Sequence, residues 1–513
     1  MKRTKRFFLN GVILGCTTVF LRGVGVSFNV YITNKIGAEG IGLFGLIMSV
    51  YMLATTVASS GVSLAATRLV TEELSLGCDR GIKKSMRVCL GYTLFFGMLS
   101  ACLLFFFAEP LGTLWLGDER TVRSLRLLAV SMPCIALSSA MGGYFTAVRR
   151  ITKSAMSQIF ELGVKICVTV FALKLYISRG IEYACMAVVG GGSVAEIASF
   201  TVMYLLFRYD EKRYKNQREK EKHYLFRMLR ISVPVAVSAY LRSGLVTLEH
   251  LLIPRGLKKF GASASASLAQ YGVVHGMVMP ILLFPSAVLS AFAGLLVPEM
   301  TEFQKQGRTR DINRVASRAF CLTLIFGIGA AGVFFVFAEE LGMTIYQSGD
   351  AALFIRFLAP LVTVMYTDSV TDAMLKGLNQ QVYSMRYNII DSAVSVALIY
   401  TILPRFGVNG YVAIIFVTEL LNAFLSINRL IRVTDFRISV FRHILLPGAF
   451  ILGSGYGVRL LFAAVFGNIP SGAGALTVAI LATVSLYLLL STCTFTSKQT
   501  KYPGGKYASL SLK

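Results

Sequence analysis

Charge is scarce in this sequence. Asp, Glu, Lys and Arg make up 15% of its 513 residues, against about 25% in an ordinary soluble chain. That is too little for a fully water-facing surface and excludes a soluble enzyme. Acid is scarcer still, 26 Asp and Glu against 51 Lys and Arg, for a formal net charge of +25. Histidine is limited to His223, His250, His275 and His443, too scattered along the chain to read as a metal site. Nine cysteines form no C-x-x-C, and all but Cys78 lie in or beside apolar runs. They read as small buried hydrophobes, which excludes a disulfide-stapled scaffold. No P-loop, G-x-S-x-G or H-E-x-x-H occurs, so nucleotide, nucleophile-elbow and zincin chemistry have no footing. Glycine shows no period of three and apolar content is high, which excludes collagen-like and disordered chains.

What is present is hydrophobic: 55% of residues, with a mean hydropathy of +0.66. Fourteen apolar stretches are long enough to cross a bilayer, at about 20 residues each. In order, spans 1 to 14 are 7–32, 40–66, 87–108, 124–148, 155–177, 183–207, 228–253, 267–297, 316–338, 352–375, 385–403, 408–430, 441–466 and 473–496. In lipid, backbone groups must bond within a helix or a closed barrel. Barrel strands would show short alternating segments, and these are long and continuous. The basic start Lys2, Arg3, Lys5, Arg6 resembles a signal peptide, but Arg22 interrupts the apolar run and no small-x-small site follows. Span 1 is therefore expected to be retained.

With an inside start, most of the 51 Lys and Arg fall on inner segments, which orients the chain with both termini cytoplasmic. This asymmetry accounts for the net charge without a nucleic-acid partner. The densest run, Asp210 to His223, reads as a solvated linker.

That linker divides two similar halves. Phe107-Ala108-Glu109 recurs as Phe337-Ala338-Glu339, Arg126-x-Leu128-Ala129 as Arg356-x-Leu358-Ala359, and Gln158-Ile159-Phe160-Glu161 as Asn388-Ile389-Ile390-Asp391, each 230 residues on. Leu21-Arg22 likewise matches Leu241-Arg242. Six spans per copy make the repeats parallel, related by an axis along the membrane normal. The expected architecture is an all-α polytopic membrane protein of about 14 transmembrane helices. An N-terminal lobe (1–207), a basic cytoplasmic linker (208–226) and a C-terminal lobe (227–435) are followed by spans 13 and 14 (436–497) and a cytoplasmic tail (498–513).

Ionisable groups inside spans are costly and face a cavity or a partner. Arg22 and its repeat counterpart Arg242 suit a bidentate clamp on phosphate; pairing with a carboxylate or carbonyl is the structural alternative. Glu249 follows Arg242 by two turns, as a neighbour through the cavity or a coupling group. Arg68, at the inner end of span 2, guides an anion or simply anchors the helix. Asp368, Asp372 and Lys376 form a stripe at the inner end of span 10, a relay or a self-paired helix end. Pro280 and Pro285 are expected to kink span 8.

The residues then show a resemblance. Arg22 and Gly25 with Ile36-Gly37-Ala38-Glu39-Gly40-Ile41-Gly42-Leu43-Phe44, Phe284-Pro285-Ser286-Ala287 running to Val297-Pro298-Glu299, and Leu375-Lys376-Gly377-Leu378-Asn379-Gln380 resemble the stage V sporulation protein B group. That group belongs to the lipid-linked oligosaccharide flippases of the multidrug/oligosaccharidyl-lipid/polysaccharide exporter superfamily. The similarity covers about residues 7–435. It implies a non-enzymatic flippase in the bacterial cytoplasmic membrane, moving a polyprenyl-pyrophosphate-linked glycan by alternating access. Arg22 corresponds to the family's span-1 cavity arginine and Arg68 to its basic residue ending span 2. Where family members often carry a second span-1 arginine, this chain has Phe28-Asn29, so Asn29 joins the cavity set, and Arg242 is the compensating charge from span 7. No cofactor is implied; Na+, H+ or the membrane potential is the expected drive. The lipid-linked glycan and the bilayer are the expected partners, with envelope-biosynthesis enzymes as candidates. A multidrug or cation antiporter of the same fold is the alternative. A glycan polymerase would want a large outer loop that the sequence lacks.

Overall fold

The structure, a computed structural model, describes residues 2–214, 223–434, 441–466 and 472–496. The core of the expected linker (215–222) and the tail 498–513 lie outside these residues. Every regular element described is helical. Eleven helical segments are long and apolar enough to cross a membrane. Two of them, Thr17–Ser75 with 59 residues and Gln381–Val433 with 53, are each too long for one crossing. They fold back at Gly37 (φ 74°) and Gly407 (φ 56°), left-handed conformations that glycine adopts without penalty. Ile151–Tyr176 crosses as well. It falls outside the eleven, and it carries Lys153, Glu161, Lys165 and Lys174. The result is the fourteen crossings expected from the sequence.

Two spans are less regular than their hydropathy suggests. Span 2 breaks at Gly61 (φ 76°), where a Cβ would sit 2.5 Å from the Ser232 carbonyl oxygen. Span 8 is built of Ala264–Tyr271, a wide π-turn at Gly272–Val278, Met279–Leu283 and Ser286–Lys305. The break at Phe284-Pro285 falls where proline removes a backbone donor, as expected.

The 230-residue repeat reappears as geometry. Left-handed residues at Gly77, Gly117 and Arg149 recur at Gly307, Gln347 and Asn379. Helices break at Phe107 and at Phe337. Glu109 pairs with Arg126 at 3.6 Å, and Glu339 with Arg356 at 3.9 Å. The Thr67 hydroxyl donates to Gly143 O at 3.0 Å, and Thr301 to Gly377 O at 2.9 Å.

By packing, the chain forms two compact units. The first holds 1–307 and 371–430, the second 308–370 and 431–513. In the first, Tyr144, Phe145, Met141 and Leu69 centre a fully buried cluster at the ends of spans 2 to 4. In the second, spans 13 and 14 pack on span 9. The Tyr487 hydroxyl donates to Ile325 O at 2.7 Å, and Arg459 pairs with Glu340 at 2.9 Å.

Candidate functional site

Within the first unit, span 1 lies antiparallel on span 8 and span 2 on span 7. Asn29 Nδ2 donates to Gly276 O at 2.8 Å. Further along, Gly23 faces Phe284 and Gly15 faces the Ala291 methyl. On the other seam Thr247 donates to Ser49 O at 3.2 Å and Tyr240 to Val57 O at 3.2 Å. The repeat turns span 1 into span 7 and span 2 into span 8, so the two seams are the same contact seen twice. That reciprocity is what a two-fold axis produces. The seams converge where backbones touch. A Cβ on Gly42 would meet Leu268 O at 2.0 Å, and one on Gly272 would meet Ala38 O at 2.1 Å.

At the end expected to face outward, a polar latch joins three loops. Arg120 holds Asp118 through Nε (2.9 Å) and Nη2 (2.7 Å) and reaches Glu39 through Nη1 at 2.9 Å. Ser265, before span 8, donates to the other Glu39 oxygen at 2.5 Å. The Ser265 hydrogen bond, with Arg120 behind it, holds the Glu39 carboxyl below the ordinary carboxylate range. At the opposite end Arg227 binds Glu72 and lies 3.7 Å from Glu73. Asp210 is held there by Lys153 at 2.8 Å and Arg150 at 2.5 Å. Burial pushes Asp210 up, but these two cations outweigh it and leave the carboxyl lowered.

Against this background the expected cavity arginines stand out. Arg22 is half-buried and Arg242 and Arg68 are exposed. None of the three makes a hydrogen bond or ion pair among the described residues. The carboxylates that were candidates to pair with them are engaged elsewhere. Glu249 accepts from Ser395 at 2.8 Å rather than reaching Arg242. Asp372 pairs with Lys376 at 2.9 Å and accepts from Ser384, which favours the self-paired helix end over a relay. Asp368 belongs to the second unit. Asn29 is likewise engaged, its amide nitrogen donating to Gly276 O.

Two features escaped the sequence. Thr56 and Ser59 before the Gly61 break, and Ser63 and Thr67 after it, line span 2 with hydroxyls toward Arg68, a cluster that counting hydroxyls along the span would have found. Two of the scattered histidines also meet. The His250 and His275 ring centroids are 4.8 Å apart, with Tyr271 and Tyr411 hydrogen-bonded to them. No sequence spacing signals that pair, because it forms between spans 7 and 8.

The model of a family described as polysaccharide biosynthesis protein matches residues 8–304. Stage V sporulation protein B of Bacillus subtilis (strain 168) is 28% identical over 414 residues, covering 79% of this chain and 80% of the relative. The lipid II flippase MurJ of the same organism is 20% identical over 450 residues, covering 81% of each. Among solved structures, a lipid II flippase MurJ in an inward closed conformation superposes with a TM-score of 0.72 at 13% identity, covering 95% of this chain and 99% of its own. An inward-facing multidrug resistance MATE family transporter of the MOP superfamily gives 0.63 at 14% identity, covering 81% and 94%.

Proposed function

The chain belongs to the polysaccharide biosynthesis protein family, and from that premise we propose that it is a flippase for a polyprenyl-pyrophosphate-linked glycan. The cargo is a lipid II-like peptidoglycan precursor or another envelope polysaccharide unit. It crosses the cytoplasmic membrane by alternating access of the two repeat-related lobes, with both chain termini cytoplasmic.

One observation carries this reading: Arg22 and Arg242 have no protein partner among the described residues. An intramembrane guanidinium left unpaired is expensive. It is tolerable where a wet cavity holds it in readiness for an anion. A pyrophosphate supplies oxygens for several bidentate contacts, and the span 2 hydroxyls leading to Arg68 suit the sugars. A cation antiporter would instead need free cavity carboxylates, and Glu249 and Asp372 are engaged.

The test is leaflet transfer of lipid II in proteoliposomes. Each lost charge-assisted interaction is worth about 1.5–3 kcal/mol. Arg22→Ala or Arg242→Ala should therefore slow transfer roughly ten- to hundredfold, and the double variant should abolish it. Wild-type transfer by the double variant would refute the clamp.

A further inference from the structure

We propose that His250 and His275, with Tyr271, Tyr411 and Glu249 around them, form a one-proton binding site that couples the transport cycle to proton entry. The coupling half of this proposal rests on the flippase reading above; the proton site itself does not.

The five groups come from three spans. Span 7 supplies Glu249 and His250, span 8 Tyr271 and His275, and span 12 Tyr411. The Tyr271 hydroxyl lies 3.0 Å from His250 Nδ1, and the Tyr411 hydroxyl is hydrogen-bonded to His275 Nε2. The two imidazole rings sit edge to face with centroids 4.8 Å apart. Each ring thus spends one nitrogen on a tyrosine. The others, His250 Nε2 and His275 Nδ1, have no hydrogen-bond partner among the described residues. Two imidazolium ions at this separation repel strongly, so the pair accepts a single proton and titrates as a unit. Glu249 adjoins His250 in the chain, and its carboxyl oxygen accepts from Ser395 at 2.8 Å.

An inert core network would not need this chemistry, since Phe and Leu would fill the same space without two rings to desolvate. Nor would it need the local backbone. His275 lies in the π-turn Gly272–Val278, a wide helical turn of a kind that concentrates at functional sites. Its neighbour Gly276 gives its carbonyl to Asn29 of span 1. The pair is therefore one residue from the seam that must part when the lobes rock. The elements packed here from the other side contribute no charge: Asn29 and Ile41 approach Gly276, and span 11 presents Ser395. The remaining charged groups on these spans are Arg22 on span 1, Arg230 and Arg242 on span 7, Arg386 and Asp391 on span 11, and Glu419 and Arg429 on span 12; Arg255 lies just beyond span 7, and Glu39, between spans 1 and 2, is held by Arg120 and Ser265.

The experiment has two arms. In the first, full-length protein labelled with nitrogen-15 histidine is titrated in nanodiscs from about pH 8 to pH 4, with His250→Gln and His275→Gln used to assign the ring signals. The expected result is one shared proton, both rings shifting together, with the remaining ring moving alone in either variant. Rings that stay neutral throughout, or that each take a full proton independently, overturn the proposal. In the second arm, lipid II transfer is measured in proteoliposomes with an imposed pH gradient. One proton per cycle allows at most about a tenfold effect per pH unit. That gradient response should vanish in His275→Gln and in Tyr411→Phe. A response kept in both variants overturns the coupling. If wild-type protein transfers no lipid II, the substrate reading fails, and the titration arm alone still decides the proton site.

Discussion

Replacing Glu39 with alanine should open the latch at the expected outer end, and the structure sets the size of the effect. Glu39 makes both contacts that cross between loops, accepting from Arg120 at 2.9 Å and from Ser265 at 2.5 Å. The Arg120 bonds to Asp118 stay within one loop and survive the change. Side-chain exposures of 34% for Arg120 and 24% for Glu39 place the pair between the exposed and buried limits. An exposed ion pair contributes about 0.2–1 kcal/mol and a net hydrogen bond about 0.5–1.5 kcal/mol. Their sum, about 1–2 kcal/mol, multiplies the opened population roughly 5- to 30-fold. The chain carries its own reporter. The Cys185 thiol is fully buried beside the latch and hydrogen-bonded to Gly40 O at 3.4 Å. Its alkylation by a membrane-impermeant maleimide added outside, followed site by site with mass spectrometry, should accelerate by that factor in Glu39→Ala. Arg120→Ala added to Glu39→Ala should change little further, because the crossing partner is already gone. Labelling rates within twofold of wild type would refute the reasoning.

The same latch responds to acid. Glu39 titrates below an unfolded carboxyl near about 4.3, so its contribution is complete above that value and lost as pH falls through the lowered one. Because only the thiolate reacts, Cys185 labelling is expressed relative to a fully exposed thiol at the same pH; that ratio should be flat from about pH 8 to 5 and rise only in stronger acid, and in Glu39→Gln the rise should disappear. Gly42→Ala should cost well over 2 kcal/mol by the usual measure of a backbone clash, because its Cβ would lie 2.0 Å from Leu268 O; a normal melting curve in detergent would contradict the close crossing. Thr301→Val removes a bond to Gly377 O at 2.9 Å. It should lower stability by about 0.5–1.5 kcal/mol, with Thr67→Val costing a similar amount as its repeat counterpart in a denaturant titration.

The crossings and their number were legible because lipid permits few backbone solutions, and hydropathy reads them directly. The 230-residue repeat was legible too, and it proved to encode turns as well as letters: Gly117 and Gln347 share a left-handed backbone although their side chains differ. What the sequence hid lies between spans. Hydropathy ran straight through span 2, yet Gly61 breaks it because the Ser232 carbonyl of span 7 lies against it. Counting turns on one helix puts Glu249 near Arg242, but its partner is Ser395 on span 11. His250 and His275 looked isolated for the same reason. One-dimensional spacing predicts neighbours on a helix face and carries no information about which faces meet.

The distribution of polar contacts across the two seams bears on how they can part. Within the membrane, the bonds joining spans 1 and 8 or 2 and 7 run from neutral side chains to backbone carbonyls: Asn29 to Gly276, Thr247 to Ser49, Tyr240 to Val57. Each has a net worth of about 0.5–1.5 kcal/mol, and breaking one leaves no charge stranded in a low dielectric. The ionic contacts sit at the two ends of the seams, Arg120 with Glu39 in the latch of the first half and Arg227 of the second half with Glu72 of the first, where water can take over either partner. A buried ion pair at mid-seam would resist opening by several kcal/mol, because each partner would be left desolvated. Charge kept at the ends lets a seam open without stranding an ion in a low dielectric. An ion pair placed at mid-seam, Thr247→Lys with Ser49→Asp, both buried positions, should therefore lower thermal stability or leave it unchanged, since desolvation offsets the attraction, while slowing transfer at least tenfold. Faster transfer in that variant would show that the seams are not what moves.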